Sequence, residues 1–164
     1  MPADILKTLE LFKELDKDQL NRIKDICFKR EYKKGDRLFK EGDNAHQIWI
    51  NYDGQMELRF ELPGSKSASS DQAIITITGT PESAQLGGWS PFVPPYKYRL
   101  SAYCVSDVCR VLMIEKTDLF RVFEEDHTIG YYFLNYLIKI VGARFIALQD
   151  HLAKVTGEDL LNRW

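Results

Sequence analysis

The sequence is poor in the residues that build metal centres and disulfide frameworks. Its 164 residues include three cysteines and three histidines. The cysteines, Cys27, Cys104 and Cys109, form no Cys-x-x-Cys pair. An odd number of scattered cysteines fits reduced thiols in a cytoplasmic protein better than disulfides or a zinc site. We therefore expect a cytoplasmic protein that holds no metal ion and no cofactor.

The chain also lacks an excess of charge of either sign and the short motifs of common enzymes. It has 22 Lys and Arg against 24 Asp and Glu, a formal charge of −2 at pH 7. A freestanding nucleic-acid-binding domain usually carries a strongly basic face. P-loop, nucleophile-elbow and HExxH motifs are absent from the sequence. These absences argue against an enzyme and against direct DNA binding.

Long uninterrupted hydrophobic runs are missing as well. The N-terminus does not have the basic, apolar and cleavable pattern of a signal peptide. The most apolar segment, residues 129–152, is interrupted by polar side chains, namely Asn135, Lys139, Arg144, Gln149 and Asp150. A membrane-spanning helix would need about 20 mostly apolar residues. We therefore expect no contact with a membrane.

What is present is a mixture of helical and strand periodicity in a length that suits one domain, residues 1–164. Apolar residues recur at helical spacing over 4–27 and again over 117–153. Between 28 and 114 apolar and polar residues alternate, with turn residues at short intervals. The candidate strands are 28–33, 37–40, 47–51, 55–62, 73–78, 99–105 and 109–114. A polar segment at 63–71 predicts a hairpin tip.

This order of elements predicts an α+β domain. Many short strands favour an antiparallel β-roll, that is, a jelly roll or double-stranded β-helix, flanked by the N-terminal helices and the long C-terminal helix. Asp53-Gly54 supplies the positive φ of a tight turn between two strands. Only about a dozen residues follow Leu152, too few for a DNA-binding domain of the helix-turn-helix kind, so we expect none in this sequence, whether it is a standalone domain or part of a longer chain.

The apolar stripe of the long helix allows two interpretations. It can pack on the roll as part of the core, or part of it can form a parallel two-helix seam with a second copy of the chain. The stripe is wider than one surface needs, which favours a homodimer. The candidate seam residues are Tyr132, Tyr136, Ile140 and Ala143.

The segment that begins at Gly87 has the chemistry of an anion-binding loop. Gly87 and Gly88 let backbone N–H groups approach a ligand without a Cβ in the way. Ser90 followed by Pro91 predicts the N-cap and first residue of a short helix, whose N-terminal amides attract anions. The side chain of Trp89 can form a flat wall for a ligand.

Cationic and hydroxyl side chains follow this loop. Arg99 can hold two oxygens of a phosphate through its planar guanidinium group. In an alternative strand register Lys97 would point into the site instead. Ser101 adds a hydroxyl donor on the same strand. These residues complete the candidate site, whose members are Gly87, Gly88, Trp89, Ser90, Lys97, Arg99 and Ser101.

Three earlier motifs resemble the opening of a cyclic-nucleotide-binding domain. They are residues 35–43 (GDRLFKEGD), 48–50 (IWI) and 54–58 (GQMEL). The chain is similar over about residues 5–152 to the sensor half of catabolite-activator-type bacterial regulators. This resemblance implies a regulatory β-roll that binds cAMP, cGMP or a similar anionic effector and signals through the C-terminal helix.

The same resemblance assigns roles within the candidate site. In the family's phosphate-binding cassette a Gly-Glu pair opens a short helix, and an Arg-Ser/Thr-Ala run follows on the next strand. The glycine carries over to Gly87, the arginine to Arg99 and the Ser-Ala pair to Ser101-Ala102. The family's glutamate, which binds the ribose 2′-hydroxyl, is matched here by Gly88, and Leu100 separates the arginine from the serine.

Two other functions remain open. If the indole of Trp89 fills the pocket, the protein is a non-binding interaction or dimerisation module. A haem sensor would need an axial ligand such as His127 or His151, although solvated histidines near helix ends are the favoured interpretation of both.

Overall fold

A computed structural model describes residues 3–61, 73–80 and 85–156 of the chain. The described helices are α1 (Ala3–Thr8), α2 (Lys17–Asp25), α3 (Lys116–Glu125) and α4 (His127–Thr156). The described strands are β1 (Cys27–Lys33), β2 (Arg37–Phe39), β3 (Gln47–Arg59), β4 (Ala73–Gly79), β5 (Gln85–Leu86), β6 (Ser101–Cys104) and β7 (Val108–Glu115). Single 3₁₀ turns occupy Glu10–Phe12 and Ser90–Phe92. The predicted hairpin tip at 63–71 lies outside the described residues.

The strands form an antiparallel sheet that curls into a roll. Within the described ranges its main path runs β1-β7-β3-β6-β2, and β4 and β5 each pair with β3. The first half of β3 pairs with β7, and its second half pairs with β4 and β6. Helices precede the roll and the long α4 follows it. The predicted α+β β-roll is confirmed.

The predicted hairpin turn at Asp53-Gly54 is wrong, because β3 continues through it as one strand. Gly54 does have the expected positive φ, 84°. An added Cβ there would contact the carbonyl oxygen of Val108. The register between β3 and β7 shifts between Asn51 and Asp53. Glycine therefore bends β3 against its neighbour and lets it pass from one set of partners to the next.

The start of α2 follows the sequence prediction. Asp16 is its N-cap, and the carboxylate Oδ1 accepts a hydrogen bond from the backbone N–H of Gln19 at 2.9 Å. The side chain of Gln19 accepts in return from the backbone N–H of Asp16 at 3.1 Å. This reciprocal capping box satisfies two backbone donors that the first helical turn leaves free.

Alternation along β3 separates two hydrophobic cores. Ile48 and Ile50 point towards the helices and join a core that includes Phe12 and Phe133. Trp49, between them, points into the roll and joins a core with residues from β4, β6 and β7. This period of two is what a strand buried on both faces requires. The roll therefore has its own interior, and the helices cover its outer face.

The helix α4 is long and apolar enough, by length and composition alone, to cross a membrane over His127–Lys154. Its first half is nevertheless core: Ile129 and Phe133 are each 1% exposed and Leu137 is 7% exposed. These three side chains pack against the roll and the N-terminal helices. Part of the hydropathy of α4 is therefore explained by packing within this chain.

Candidate ligand-binding cavity

The loop after β5 lies close to the interior of the roll. The backbone N–H of Gly87 donates to the carbonyl oxygen of Trp49 at 2.6 Å. An added Cβ at Gly87 would lie 3.2 Å from the Cβ of Trp49 and 3.3 Å from Cε of Met56. At Gly88 an added Cβ would meet nothing within 4 Å. Gly87 is thus closely packed, and a side chain there would force its neighbours to shift, whereas Gly88 faces open space.

The turn after these glycines is shorter than the sequence predicts. Ser90–Phe92 makes one 3₁₀ turn, and its N-cap is Trp89, not Ser90. The turn is closed by the backbone N–H of Phe92, which donates to the carbonyl oxygen of Trp89 at 2.9 Å. Val93 is already extended, with φ −123° and ψ 128°. A proline disfavours the helical conformation in the residue before it, so Pro94 ends the turn at once.

An open cavity lies between this turn, the roll and α4. Its volume is about 60 Å³. Of the seven candidate residues, the cavity is lined by Gly87, Gly88, Trp89, Ser90 and Arg99. The remaining lining residues are Phe39, Leu58, Ile75, Leu100 and Arg144. Trp89 therefore lines the cavity without filling it.

Lys97 and Ser101 lie away from the cavity. Lys97 is exposed and forms an isolated bridge with Asn44. Ser101 is fully buried, and its Oγ accepts a hydrogen bond from the backbone N–H of Glu41 at 2.8 Å. The next residue, Ala102, points into the core of the roll, so strand alternation turns Ser101 to the other face. Their positions therefore do not support the ligand contacts expected of them.

The cation that the sequence places at this site is Arg99, and the structure adds a second one. Arg99 is an exposed residue at the cavity, and Leu100 beside it also lines the wall. Arg144 enters from α4, and its Nη2 donates to the carbonyl oxygen of Leu86 at 2.9 Å. Its guanidinium carbon lies 5.4 Å from the centre of the Trp89 ring. Burial lowers the pKa of Arg144 from its ordinary value, against a smaller opposing effect of Tyr136.

Sequence reasoning missed Arg144 because its contact is far away in the chain. The residue was visible only as a polar interruption of the apolar segment 129–152. A charged residue on an otherwise apolar helix is a signal for a specific partner, since its burial is costly without one. That signal does not identify the partner, which here is the carbonyl group of Leu86 at the end of β5.

The predicted dimer residues lie mostly on the core side of α4. Tyr132 and Tyr136 pack against the helical core, and burial is the main cause that raises the pKa of Tyr136. Ile140 is half-buried and Ala143 is exposed. The large apolar side chains that α4 exposes are instead Tyr131, Leu134, Ile138, Phe145, Ile146, Leu148 and Leu152.

Of the two histidines considered for haem, His127 does not line the cavity. His127 is exposed at the first residue of α4. The side chain of His151 lies outside the described ones. Within the described ranges, no cluster of three or more His, Cys, Asp or Glu side chains could hold a metal ion.

Comparison with known proteins identifies solved structures that have this architecture. No protein-family model matches the chain, and a search of curated proteins finds no match. Among solved structures, the chain is similar to a candidate cyclic-nucleotide-binding protein of Geobacter metallireducens, with 22% identity and a TM-score of 0.71 over 88% of this chain and 98% of that one. A likeness at this identity establishes the fold.

Two further structures have the same architecture. The Thermus thermophilus catabolite activator protein is 17% identical with a TM-score of 0.66, over 88% of this chain and 63% of that one. The regulatory domain of Toxoplasma gondii PKA, crystallised with cAMP, is 17% identical with a TM-score of 0.57, over 73% of this chain and 42% of that one. The roll and its flanking helices are thus shared with these structures.

Proposed function

Starting from the fold of the cyclic-nucleotide-binding domain, we propose that this protein is a cytoplasmic regulatory domain that binds cAMP, cGMP or a similar anionic effector. The observation that carries the proposal is the open cavity with Arg99 on the roll side and Arg144 on the α4 side. Cationic side chains in a partly desolvated cleft hold anions more strongly than the same side chains in water. The cAMP in the Toxoplasma gondii PKA structure supports this class of ligand.

Two features weaken the site for a nucleotide. With Gly88 in place of the family's glutamate, a hydrogen bond to the ribose is lost, which lowers affinity by about 1.5–3 kcal/mol or roughly ten- to a hundredfold. The cavity of about 60 Å³ is also far below the roughly 300–1,000 Å³ of a typical ligand pocket. A whole nucleotide would therefore have to displace Arg144 and part of α4.

This requirement suggests how binding is signalled. Arg144 joins α4 to Leu86, the last residue of β5, and every residue from 145 to 150 is exposed. A ligand that draws the guanidinium group of Arg144 away from the carbonyl oxygen of Leu86 would change the angle between the exposed half of α4 and the roll. Binding would then shift the population of α4 positions, because the ligand interacts differently with each of them.

We further propose that the exposed stripe of α4 pairs with a second copy of the chain. The exposed apolar side chains of this stripe follow the alternating three- and four-residue spacing of a two-stranded coiled coil. They are Leu134, Ile138, Phe145, Leu148 and Leu152, and half-buried Val141 occupies the remaining position. Such a seam is self-complementary and closes as a twofold dimer. The occupant of this face is therefore another α4.

The test of ligand binding is thermal unfolding of the parent and of Arg99→Gln with 5 mM cAMP, cGMP or inorganic phosphate. A ligand at about ten times its Kd stabilises by about 1.4 kcal/mol, or roughly 3–6 °C for a chain of this size. We expect a shift of this order in the parent and less than half of it in Arg99→Gln. The matched control is Arg121→Gln, whose arginine is exposed and pairs with Asp118. Absence of any shift in the parent would overturn the proposal.

A second candidate function is dimerisation without a ligand, which the small volume of the cavity favours. Tryptophan emission separates the two candidates, because Trp89 lines the cavity and lies under the guanidinium of Arg144. An effector should change the emission of the parent, and Trp89→Phe should abolish the change. Emission that stays constant with every anion would favour the dimerisation module.

A further inference from the structure

The two arginines at the cavity differ from most others in the chain. Carboxylate partners hold Arg22, Arg37, Arg59, Arg110 and Arg121. Among the described residues no Asp or Glu forms an ion pair with Arg99 or Arg144. No acidic side chain contributes to the described cavity lining. The cavity therefore holds two positive charges that this part of the chain leaves uncompensated.

The charge on Arg144 is the costlier of the two. Burial lowers its pKa, which means that the folded chain does not fully replace the water around the guanidinium group. Its partners are neutral: the carbonyl oxygen of Leu86 at 2.9 Å and the face of the Trp89 ring at 5.4 Å. Hydrogen bonds to an ionised acceptor are roughly twice as strong as those to a neutral one. A carboxylate or phosphate oxygen would therefore displace the Leu86 carbonyl.

The positions of the two arginines set the size and charge of a fitting ligand. Arg99 lies in the bend just before β6 and Arg144 lies on α4, so one small molecule must reach both across a cavity of about 60 Å³. A 3′,5′-cyclic nucleotide carries a single negative charge on its phosphodiester and cannot neutralise both arginines. A dicarboxylate or a phosphomonoester carries about two charges at neutral pH.

We propose that the natural effector is a compact dianion held between Arg99 and Arg144, and that Arg144 is the group that links its binding to α4. This inference rests on the proposed function, namely that the cavity binds an anion. It narrows that function to ligands with two negative charges. It also assigns Arg144 as a specificity-determining residue.

The test pairs one change in the ligand with one change in the protein. Succinate carries two charges, and its half-amide succinamate has nearly the same shape and one charge. We expect the parent to bind succinate at least tenfold more tightly than succinamate by isothermal titration calorimetry. Arg144→Gln should lower succinate affinity at least tenfold and succinamate affinity by less than threefold. Glycerol 3-phosphate, as a phosphomonoester, should behave like succinate.

A purely structural role for Arg144 predicts a different result, because both ligands would then lose affinity equally. Equal losses, or binding of succinamate as tight as that of succinate, would overturn the proposal. Arg144→Lys keeps the charge and is the control in case the glutamine variant misfolds. It should retain most of the preference for succinate over succinamate. Binding of cAMP alone, unaffected by Arg144→Gln, would overturn the dianion proposal and leave the proposed function standing. If no anion binds the parent, the proposed function fails as well.

Discussion

Both halves of α4 carry large apolar side chains, but among the described residues only the first half buries any of them. In the first half Phe133 is 1% exposed, whereas in the second half Phe145 is 58% exposed and Leu148 is 51% exposed. Burial of such a side chain is worth about 1.5–3 kcal/mol, so the second half leaves a large stabilising effect unused within this chain. The hydropathy of a helix therefore says how much apolar surface it has, and only the fold says which part is already covered.

The boundary between the halves coincides with the ligand cavity. Residues 140–142 and Arg144 are half-buried, and residues 145–150 are all exposed. The stretch from Arg144 to the end of α4 at Thr156 spans about 18 Å at about 1.5 Å per residue, so a tilt of about 10° at Arg144 would move the far end by about 3 Å. The first half packs α4 against the roll, so a change of contacts at Arg144 would alter the direction of the second half.

The largest expected difference between the halves is in folding stability. Phe133 packs against Phe92 and Phe123 with ring centres 5.4 and 5.2 Å apart. Phe133→Ala should lower the free energy of unfolding by about 3–5 kcal/mol, measured by urea denaturation. Phe145→Ala at low protein concentration should stay within about 0.5 kcal/mol of the parent. Equal losses for the two variants would mean that both halves are buried in solution.

The next difference concerns association. Ile138 is 64% exposed on the proposed seam, and Ile138→Glu would place a charge in an apolar interface. We expect the dimer dissociation constant to rise at least a hundredfold, about 2.7 kcal/mol, in sedimentation equilibrium. Ala143→Glu is the matched control, because Ala143 is exposed on α4 but lies off the seam. If Ala143→Glu dissociates the dimer and Ile138→Glu does not, the dimer face is the one predicted from the sequence, which includes Ala143. A parent protein that is monomeric at tens of micromolar would contradict a dimer through either face.

A smaller difference is expected at the two glycines of α4. An added Cβ at Gly142 would meet nothing within 4 Å, whereas at Gly130 it would lie 3.3 Å from Cβ and Cγ of Phe123. Alanine is favoured over glycine in a helix by roughly 0.5–1 kcal/mol. Gly142→Ala should therefore raise the melting temperature, and Gly130→Ala should gain less or lose stability. Destabilisation by Gly142→Ala would indicate that a partner helix approaches the backbone there.

Local patterns were enough to predict most of the roll. The predicted strands 28–33 and 109–114 match β1 and β7 to within a residue at each end, because alternation and turn residues are local signals. The one-strand geometry of β3 was not predictable in the same way. Asp53-Gly54 has the chemistry of a hairpin turn, and only the pairing with β7, β4 and β6 decides that it is a bend.

The candidate site likewise has a part that local sequence predicts and a part that depends on contacts between distant segments. The residues from Gly87 to Ser90 are neighbours in sequence, so their shared chemistry predicted a binding loop that the structure places at a cavity. Arg144 reaches that cavity from another element, and no local pattern links it to Leu86. The face of Ser101 was missed because strand pairing, which sets the alternation, begins only at that residue. Sequence periodicity predicts local structure, but it does not predict contacts between segments that are distant in the chain.

The smallest expected effect is at the start of the buried half of α4. Asp126 accepts hydrogen bonds from Nε2 of Gln19 at 2.9 Å and from the backbone N–H of Thr128 at 3.0 Å. The bond from Gln19 is the main cause that lowers the pKa of Asp126, and backbone N–H groups add to it. Because the folded pKa lies below the unfolded value of about 3.9, the stabilisation is complete above that pH and is lost as pH falls through the folded pKa. Asp126→Asn should therefore lower the urea midpoint at pH 7, and its gap from the parent should close as pH falls below the unfolded pKa and through the lower folded one. A gap of constant size from pH 7 to pH 2 would show that the carboxylate charge does not stabilise the start of α4.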